Sequence, residues 1–412
     1  MTDSLLSPSA QLAKVRQGDG GLAVALFRAA VQRVARQWNG PPLAIHTPRG
    51  EVLRVGGDGP ADLTIRIRNF ASVRRLLTAG DIGFAEGYVA GEWDTPDLPR
   101  LLTALAANWD GLKGLGVGGP LTRLANLVRS AFHRNTLEGS KRNIHTHYDL
   151  GNAFYGAWLD PGMTYSAALY DGPDTGLEAA QTRKYAALCE AVGLEPGHTV
   201  LEIGCGWGGF AVHAARTYGA RVVGLTISPA QHAYATERVR REGLEHLVEI
   251  RMTDYREVEG VFDRVVSIEM FEAVGEQYWP AYFEQVRDRL KPGGRAGLQI
   301  ITVRDDLFWR YRKRIDFIQK HIFPGGILPS PRRLREEVAR AGLTWDGARR
   351  FGPDYGRTLH AWGERFEAAW PSLNRQGFDE GFRRLWAFYL AYCEAGFATG
   401  RTDVLQAVVT RP

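Results

Sequence analysis

No stretch of this sequence stays apolar for the roughly 18 residues that a helix needs to cross a bilayer. Residues 1 to about 20 are small and polar, without the apolar core of a signal peptide, so neither a membrane span nor secretion is expected. Cysteine is scarce: Cys189, Cys205 and Cys393 are three in 412 residues, too few and too widely spaced for a disulfide scaffold or a zinc site. The reducing cytoplasm is the natural setting, and no metal is expected. Repeats and low-complexity tracts are absent, as is any RNA- or DNA-binding motif. The arginines are dispersed, so a net charge of +5 and a pI ≈ 9.1 suit an anionic membrane face or plain solubility better than nucleic acid. The glycine-rich stretch Thr199–Phe210, T-V-L-E-I-G-C-G-W-G-G-F, is not followed by Lys-Ser/Thr, which excludes a P-loop. Its spacing is G-x-G-x-G, and the next strand ends in T-I-S-P-A-Q with no acidic residue for a ribose, which argues against a dinucleotide site.

What is present is ordinary globular composition, 44% hydrophobic and 24% charged, over a length comfortable for two domains. Helical periodicity over Gly21–Trp38 precedes short β-like segments at Leu43–Thr47, Val52–Gly56 and Leu63–Arg68. A helix at Ser72–Thr78, the stretch G-D-I-G-F-A-E-G-Y-V-A-G-E-W-D (Gly80–Asp94) and a helix at Leu98–Ala107 follow. Residues 1–110 read as a small α+β accessory domain. Asp110–Pro120, with five glycines and a terminal proline, is the best linker in the chain. With the amphipathic helix Leu121–Phe132 it makes residues 111–143 a connecting segment, read as packing between domains in preference to membrane contact.

Residues 144–412 alternate strand and helix. Helix Leu177–Val192 leads to strand Thr199–Ile203, helix Gly209–Tyr218, strand Arg221–Leu225, helix Pro229–Glu242 and strand Leu247–Met252. Strand Asp263–Ile268, helix Gln277–Leu290, strand Arg295–Thr302, a helical insertion at Phe308–His321 and a last strand near Val404–Val409 complete the pattern. The class is α/β, a doubly wound, Rossmann-like fold with its ligand at the carboxyl ends of parallel strands. A strand that breaks into Gly204, Gly206 and Gly208 and turns directly into a helix lets backbone approach a ligand closely.

E-I-G-C-G-W-G followed by V-G-L-T-I-S-x-x-Q resembles the S-adenosylmethionine-dependent methyltransferases and, more narrowly, the cyclopropane-fatty-acid synthase family. Gly80–Asp94, the segment H-Y-D-L-G-N-x-F-Y-x-x-W-L-D-P-x-M-T-Y-S (His147–Ser166) and S-I-E-M-F-E-A-V-G (Ser267–Gly275) extend the resemblance over nearly the whole chain. It implies a class I methyltransferase domain. It also implies a cofactor site of Tyr165, Ser166, Gly204, Gly206, Gly208, Thr226, Ile227, Gln231, Asp254 and Tyr255. Gln231 suits a ribose diol because a neutral amide both donates and accepts. The family binds bicarbonate as the base; the matching positions are Glu272, Tyr355, Gln299, the Ile301 backbone and Cys393.

An alkene attacking a sulfonium methyl leaves a cation, which an apolar, aromatic-walled, water-free pocket accommodates. Tyr155, Trp158, Tyr278, Trp279, Phe308, Trp309 and Tyr311 are the candidates for its wall. The chain departs from the family pattern at Ala167 for cysteine, Gln299 and Ala273 for histidine, and Glu269 for glycine. Bicarbonate held by fewer partners binds more weakly, so part or all of the product is expected to be methyl-branched.

The expected function is C-methylation of the double bond in unsaturated phospholipid acyl chains, by a cytoplasmic protein attached peripherally to the inner membrane. Methylation without ring closure is the first alternative, and it brings in a partner reductase. A small-molecule N- or O-methyltransferase and a silent lipid-binding protein are the others. The resemblance leaves a homodimer open.

Overall fold

The computed structural model of the chain describes residues 21–57, 59–109 and 150–412. The expected linker, the helix at Leu121–Phe132, and His147 and Asp149 lie outside the described residues. Two compact units divide the chain. One comprises Met1–Arg129, Ile315–Ile318 and Trp362–Thr399, and the other Ser130–Arg314, Gln319–Ala361 and Gly400–Pro412.

In the first unit, helix α1 (Gly21–Ala35) precedes strands β1 (Leu43–His46), β2 (Val52–Val55) and β3 (Leu63–Ile67). The sheet has the order β2-β1-β3-β4, where β4 is Trp93–Asp94 and β1 and β3 run parallel. Helix α2 spans Ala71–Val89, well beyond the expected Ser72–Thr78, because the glycines of the next stretch bend it instead of ending it. Gly80 leaves helical geometry at φ 64°, and the bend brings Gly83 so close to the Arg75 carbonyl that a Cβ there would lie 2.0 Å from its oxygen. Trp93 stacks on Phe84 with centroids 4.2 Å apart and donates from Nε1 to the Phe84 carbonyl. Helix α3 (Leu98–Ala107) is capped by Asp97, whose carboxylate accepts from Arg100 N.

The second unit begins with the short helix α4 (Gly151–Gly156) and helix α5 (Leu177–Val192). Strand β5 (Thr199–Ile203) is followed by α6 (Gly209–Tyr218), β6 (Arg221–Thr226), α7 (Pro229–Arg241), β7 (Val248–Met252) and β8 (Phe262–Ile268). Next come α8 (Trp279–Arg289), β9 (Leu290–Val303), α9 (Asp305–Tyr311), α10 (Phe317–His321), α11 (Pro331–Arg340) and β10 (Thr344–Arg350). Phe317 and Ile318 of α10, with the two residues before them, fall in the first unit. Strand β11 (Thr402–Thr410) completes a seven-stranded sheet of order β10-β11-β9-β8-β5-β6-β7. Strands β5 to β9 are parallel, whereas β11 runs antiparallel to both β9 and β10. The expected parallel sheet is therefore interrupted by one reversed strand, β11, and the edge strand β10 beyond it runs in the parallel sense again. β10 escaped the sequence reading because its residues, T-W-D-G-A-R-R, are polar and largely exposed.

Apolar residues cover both faces of the sheet. Leu188, Val192, Phe210, Ala211, Ala214 and Val239 pack on one side, and Trp279, Phe283, Val286, Leu334 and Val338 on the other. This two-sided burial is why the central strands read as continuous apolar runs. Helix α12 (Gly352–Arg375) carries residues of the second unit through Ala361 and of the first from Trp362. Helix α13 (Glu380–Ala398) then belongs to the first unit, packed on α3 and α2. The sequence reading placed both helices wholly in the 144–412 domain. Compact units need not follow chain order, and Arg384 on α13 donates to the carbonyls of Tyr88 and Trp93 at 2.5 and 2.9 Å.

Candidate active site

Strand β5 ends in the glycine turn at the carboxyl edge of the sheet. Gly204, Gly206 and Gly208 have φ of 84°, 53° and 79°, a region that L side chains rarely adopt. The three are glycine for different reasons. A Cβ on Gly204 would lie 2.8 Å from the Met270 side chain, and one on Gly208 3.2 Å from Ala235. A Cβ on Gly206 would meet no protein atom within 4 Å, so the space above it is open. At the end of β6, Thr226 donates from Oγ1 to Gln231 Oε1 at 2.9 Å and accepts from Ser228 N at 3.1 Å. Ser228 caps α7 by accepting from Gln231 N. Thr226 and Gln231 are buried, and Ile227 between them is half-buried.

The chain from α4 to Tyr170 lies against this turn. Asn152 accepts from Trp207 Nε1 at 2.8 Å and donates to the Ala230 carbonyl, and Arg238 donates to the Gly162 carbonyl. Asp160 shapes D-P-G-M-T by accepting from the backbone of Gly162 and Thr164. Tyr155, Trp158, Tyr165 and Trp207 form one aromatic cluster, with centroids 5.2–5.9 Å apart in the recorded pairs. Ser166 accepts from Lys184 Nζ at 2.6 Å, and its carbonyl accepts from Gln181.

A second constellation lies beside the turn, where β8 ends. Ser267 Oγ donates to the Ile203 carbonyl, and Gln299 on β9 pairs with Ile268 in register. The next residue, Glu269, has φ 51°, one of two non-glycine residues in this region among those described. Its Oε1 accepts from Ala167 N and Gln299 Nε2, both at 2.8 Å, and its Oε2 accepts from Tyr355 OH at 2.6 Å. Gln406 donates to Gln299 Oε1 at 3.1 Å, which fixes the Gln299 amide with its nitrogen toward Glu269. Glu272, in the short turn Phe271–Ala273, accepts from Ile301 N at 2.5 Å. The structure thus brings Gln299, Ile301, Glu272 and Tyr355 together, and Glu269 stands among them.

Burial raises the Glu269 carboxyl above its ordinary value, against the pull of its three hydrogen bonds. Burial and the adjacent Glu269 charge push Glu272 up to about 8. Its Oε2 is buried without a hydrogen-bond partner, so nothing there stabilises a negative charge. Burial also drives Lys184 down to about 7, with Glu269, Asp160 and Glu202 holding it up, and raises Glu202 to about 8.

Other expected site residues stand differently. The Asp254 carboxylate is clamped by Arg256 through two hydrogen bonds of 2.8 and 2.7 Å, so its oxygens are already engaged. Tyr255 packs on Tyr282. Cys393 lies on α13 in the first unit, where burial and Asp316 push its thiol well up, so it is protonated at neutral pH. Trp279 and Phe308 are core, while Trp309 is 56% exposed and so walls no pocket.

The sequence reading missed Lys184, Gln406 and the turn of Glu269 into the site. Lys184 was findable: Ala180, Lys184 and Leu188 follow at four-residue spacing, which puts a lysine on the buried face of α5. Nothing local marked Gln406, which is 3% exposed in the reversed strand β11.

This geometry fits one of the two expected cofactors. The open space over Gly206, the capped Thr226–Gln231 pair and the aromatic cluster accommodate an adenosyl sulfonium. Bicarbonate does not fit: Ala167 N, Gln299 Nε2 and Tyr355 OH, the donors an anion would need, already serve a carboxylate of the protein. A doubly wound sheet of this order with a glycine turn after its central strand defines an S-adenosylmethionine-dependent methyltransferase, an enzyme. A family model described as mycolic acid cyclopropane synthetase matches residues 135–407. The chain belongs to that family.

It is 41% identical over 351 residues to the tuberculostearic acid methyltransferase UfaA1 of Mycobacterium tuberculosis, covering 83% of this chain and 81% of that protein. It is 37% identical over 370 residues to the cyclopropane-fatty-acyl-phospholipid synthase of Escherichia coli, covering 87% and 90%. Among solved structures, the mycolic acid cyclopropane synthase CmaA1 in complex with SAH and CTAB superposes with a TM-score of 0.62 at 30% identity. The match covers 66% of this chain and 98% of that one.

Proposed function

We propose that this protein transfers the methyl group of S-adenosylmethionine to a carbon of the double bond in unsaturated phospholipid acyl chains, working from a membrane surface. The observation that carries this reading is a desolvated carboxylate and an aromatic cluster beside the glycine turn, a setting that suits a carbocation. The cofactor supplies an electrophilic methyl on a sulfonium sulfur. Gly204, Gly206 and Gly208 admit it to the backbone, Thr226, Ile227 and Gln231 flank its ribose, and Tyr165 and Ser166 close over it. Asp254 takes part through the Arg256 clamp that fixes its loop, with Tyr255 beside it. Tyr155, Trp158 and Tyr165 exclude water.

Among the described residues no helix is long and apolar enough to cross a membrane. The reading of a cytoplasmic protein attached to the inner membrane rests on a surface segment instead. Trp309 is exposed beside exposed Arg310, Arg312, Lys313 and Arg314, an aromatic with cations suited to anionic headgroups.

Ring closure and a methyl-branched or methylene product both require loss of one proton from the cation. The departures at Ala167, Gln299 and Glu269, and the likeness to a tuberculostearic acid methyltransferase, favour the unringed product. Such a product keeps one double bond, so a saturated chain needs a reductase as partner. The test is incubation with a trideuteromethyl donor and dioleoyl-phosphatidylglycerol vesicles, followed by mass spectrometry of the fatty acids. Three deuteriums retained mean the proton came from the acyl chain, and two mean it came from the methyl. Reduction that saturates alkenes but spares rings then separates a cyclopropane from a methylene. Methylation of soluble amines or alcohols with none on vesicles sinks the reading.

A further inference from the structure

We propose that the carboxylate of Glu269 is the resident base of the reaction and stands permanently where a diffusible anion would bind. This rests on the lipid-methylation reading above. Three independent groups converge on the carboxylate: a backbone N–H from Ala167, an amide from Gln299 and a phenol from Tyr355. They come from 102, 30 and 86 residues away in sequence. A buried surface charge that had merely folded inward would not find three donors in place.

Backbone strain points the same way. Glu269 holds φ 51°, which costs an L residue roughly 1–2 kcal/mol. Such strain persists where surrounding structure over-determines it, and here the three hydrogen bonds do so. A carboxylate offers about four acceptor positions. Oε1 uses two of its own, whereas Oε2 takes Tyr355 alone and keeps a lone pair able to receive a proton. Glu269 also retains some uncovered surface, and Met270 next to it touches the space a Gly204 side chain would fill. The base therefore adjoins the glycine turn.

The step balances without another reactant. The alkene π pair forms the bond to the methyl carbon, and the sulfur keeps the electrons of the bond that breaks. The acyl chain becomes a cation. Glu269 Oε2 takes a proton either from the transferred methyl, whose C–H pair closes on the cationic carbon two bonds away as the new C–C bond of a ring, or from a carbon next to the cationic centre, whose C–H pair becomes the second bond of an alkene. The protonated carboxyl then returns its proton to solvent. Glu272, neutral beside it, leaves one negative charge in the pair.

The test uses the full-length chain in buffer scrubbed of carbon dioxide, with dioleoyl-phosphatidylglycerol vesicles and S-adenosylmethionine. The wild type is expected to turn over equally with and without added bicarbonate. Glu269→Gly, which also relieves the strained φ, should lose about 10²–10⁴-fold in rate and regain activity when bicarbonate enters the vacated donors. Glu269→Gln fills the seat with an uncharged amide, so it should lose as much and show no rescue. Calorimetric binding of S-adenosylhomocysteine checks that both variants are folded. A second readout needs no activity: NMR of ¹³C-bicarbonate should show saturable binding to Glu269→Gly and none to the wild type. Bicarbonate-dependent turnover or saturable bicarbonate binding by the wild type overturns the proposal, as does full activity of Glu269→Gly in scrubbed buffer. A folded wild type that methylates no vesicle lipid sinks the substrate reading instead, and the NMR arm still decides what holds the anion seat.

Discussion

Tyr355 donates to Glu269 Oε2 at 2.6 Å, so it stabilises the charged form of that carboxylate and lowers its proton affinity. Tyr355→Phe removes one hydrogen bond to an ionised group, worth about 1.5–3 kcal/mol, or roughly 1–2 pH units. The acid limb of the pH–rate profile should move up by that amount while affinity for S-adenosylhomocysteine stays the same. An unmoved limb means Glu269 is not the titrating base. Glu272 behaves differently, because burial and the Glu269 charge carry it from an ordinary 4.5 up to about 8. Between those values the folded chain holds a proton that the unfolded chain has released. The stability this group contributes is therefore complete below about 4.5 and is lost as pH rises to about 8, at up to ~1.4 kcal/mol per pH unit. Glu272→Gln should flatten that slope in urea melts taken across the same window. An equally steep slope in the variant means that other groups carry it.

At the scale of elements, Asn152 hydrogen-bonds α4 to the glycine turn. Asn152 accepts from Trp207, within the turn, and donates to Ala230, inside α7. Asn152→Ala should loosen the segment from α4 to Ser166 without disturbing the sheet core. The loss of about 1–2 kcal/mol corresponds to a roughly 5- to 30-fold weaker grip on S-adenosylhomocysteine by calorimetry. A melting temperature that falls while affinity stays level assigns Asn152 to stability alone. Helix α2 shows how an element hides from sequence: G-D-I-G-F-A-E-G-Y reads as a broken stretch, yet it is a bent helix. Gly80 supplies the bend and Gly83 the close approach to the Arg75 carbonyl. Only the contact made after bending explains why the second glycine is needed.

For the molecule as a whole, the first unit is assembled from residues before Arg129 and residues Trp362–Thr399. Arg384 ties α13 into it, donating to Tyr88 and Trp93 carbonyls and lying 4.0 Å over the Tyr88 ring. Arg384→Ala strands both carbonyls and should cost about 2–3 kcal/mol, seen as faster hydrogen exchange in α2 and α13. Protection equal to the wild type would mean that apolar packing alone holds α13. Because the unit closes only when the last helix arrives, its folding depends on contacts nearly three hundred residues apart, the Arg384–Tyr88 separation being 296.

The sequence by itself determined what depends on near neighbours. Helix Leu177–Val192, strand Thr199–Ile203 and helix Gly209–Tyr218 were legible to the residue, because periods of 2 and 3.6 and the glycines between them are local signals. The motifs at Gly204–Gly208, Ser267–Gly275 and Tyr355 pointed to the family through residue types. The tertiary structure alone decided what Glu269 does. In sequence it is a glycine replaced by an acid, which reads as damage to an anion site also missing a cysteine and a histidine. Folding brings Ala167 N, Gln299 and Tyr355 to one point, and there the same acid is the anion. Spacing along a chain cannot show this, since a hydrogen bond depends on where a side chain points and on which distant donors reach it. Both are set only when β8, β9 and α12 pack together.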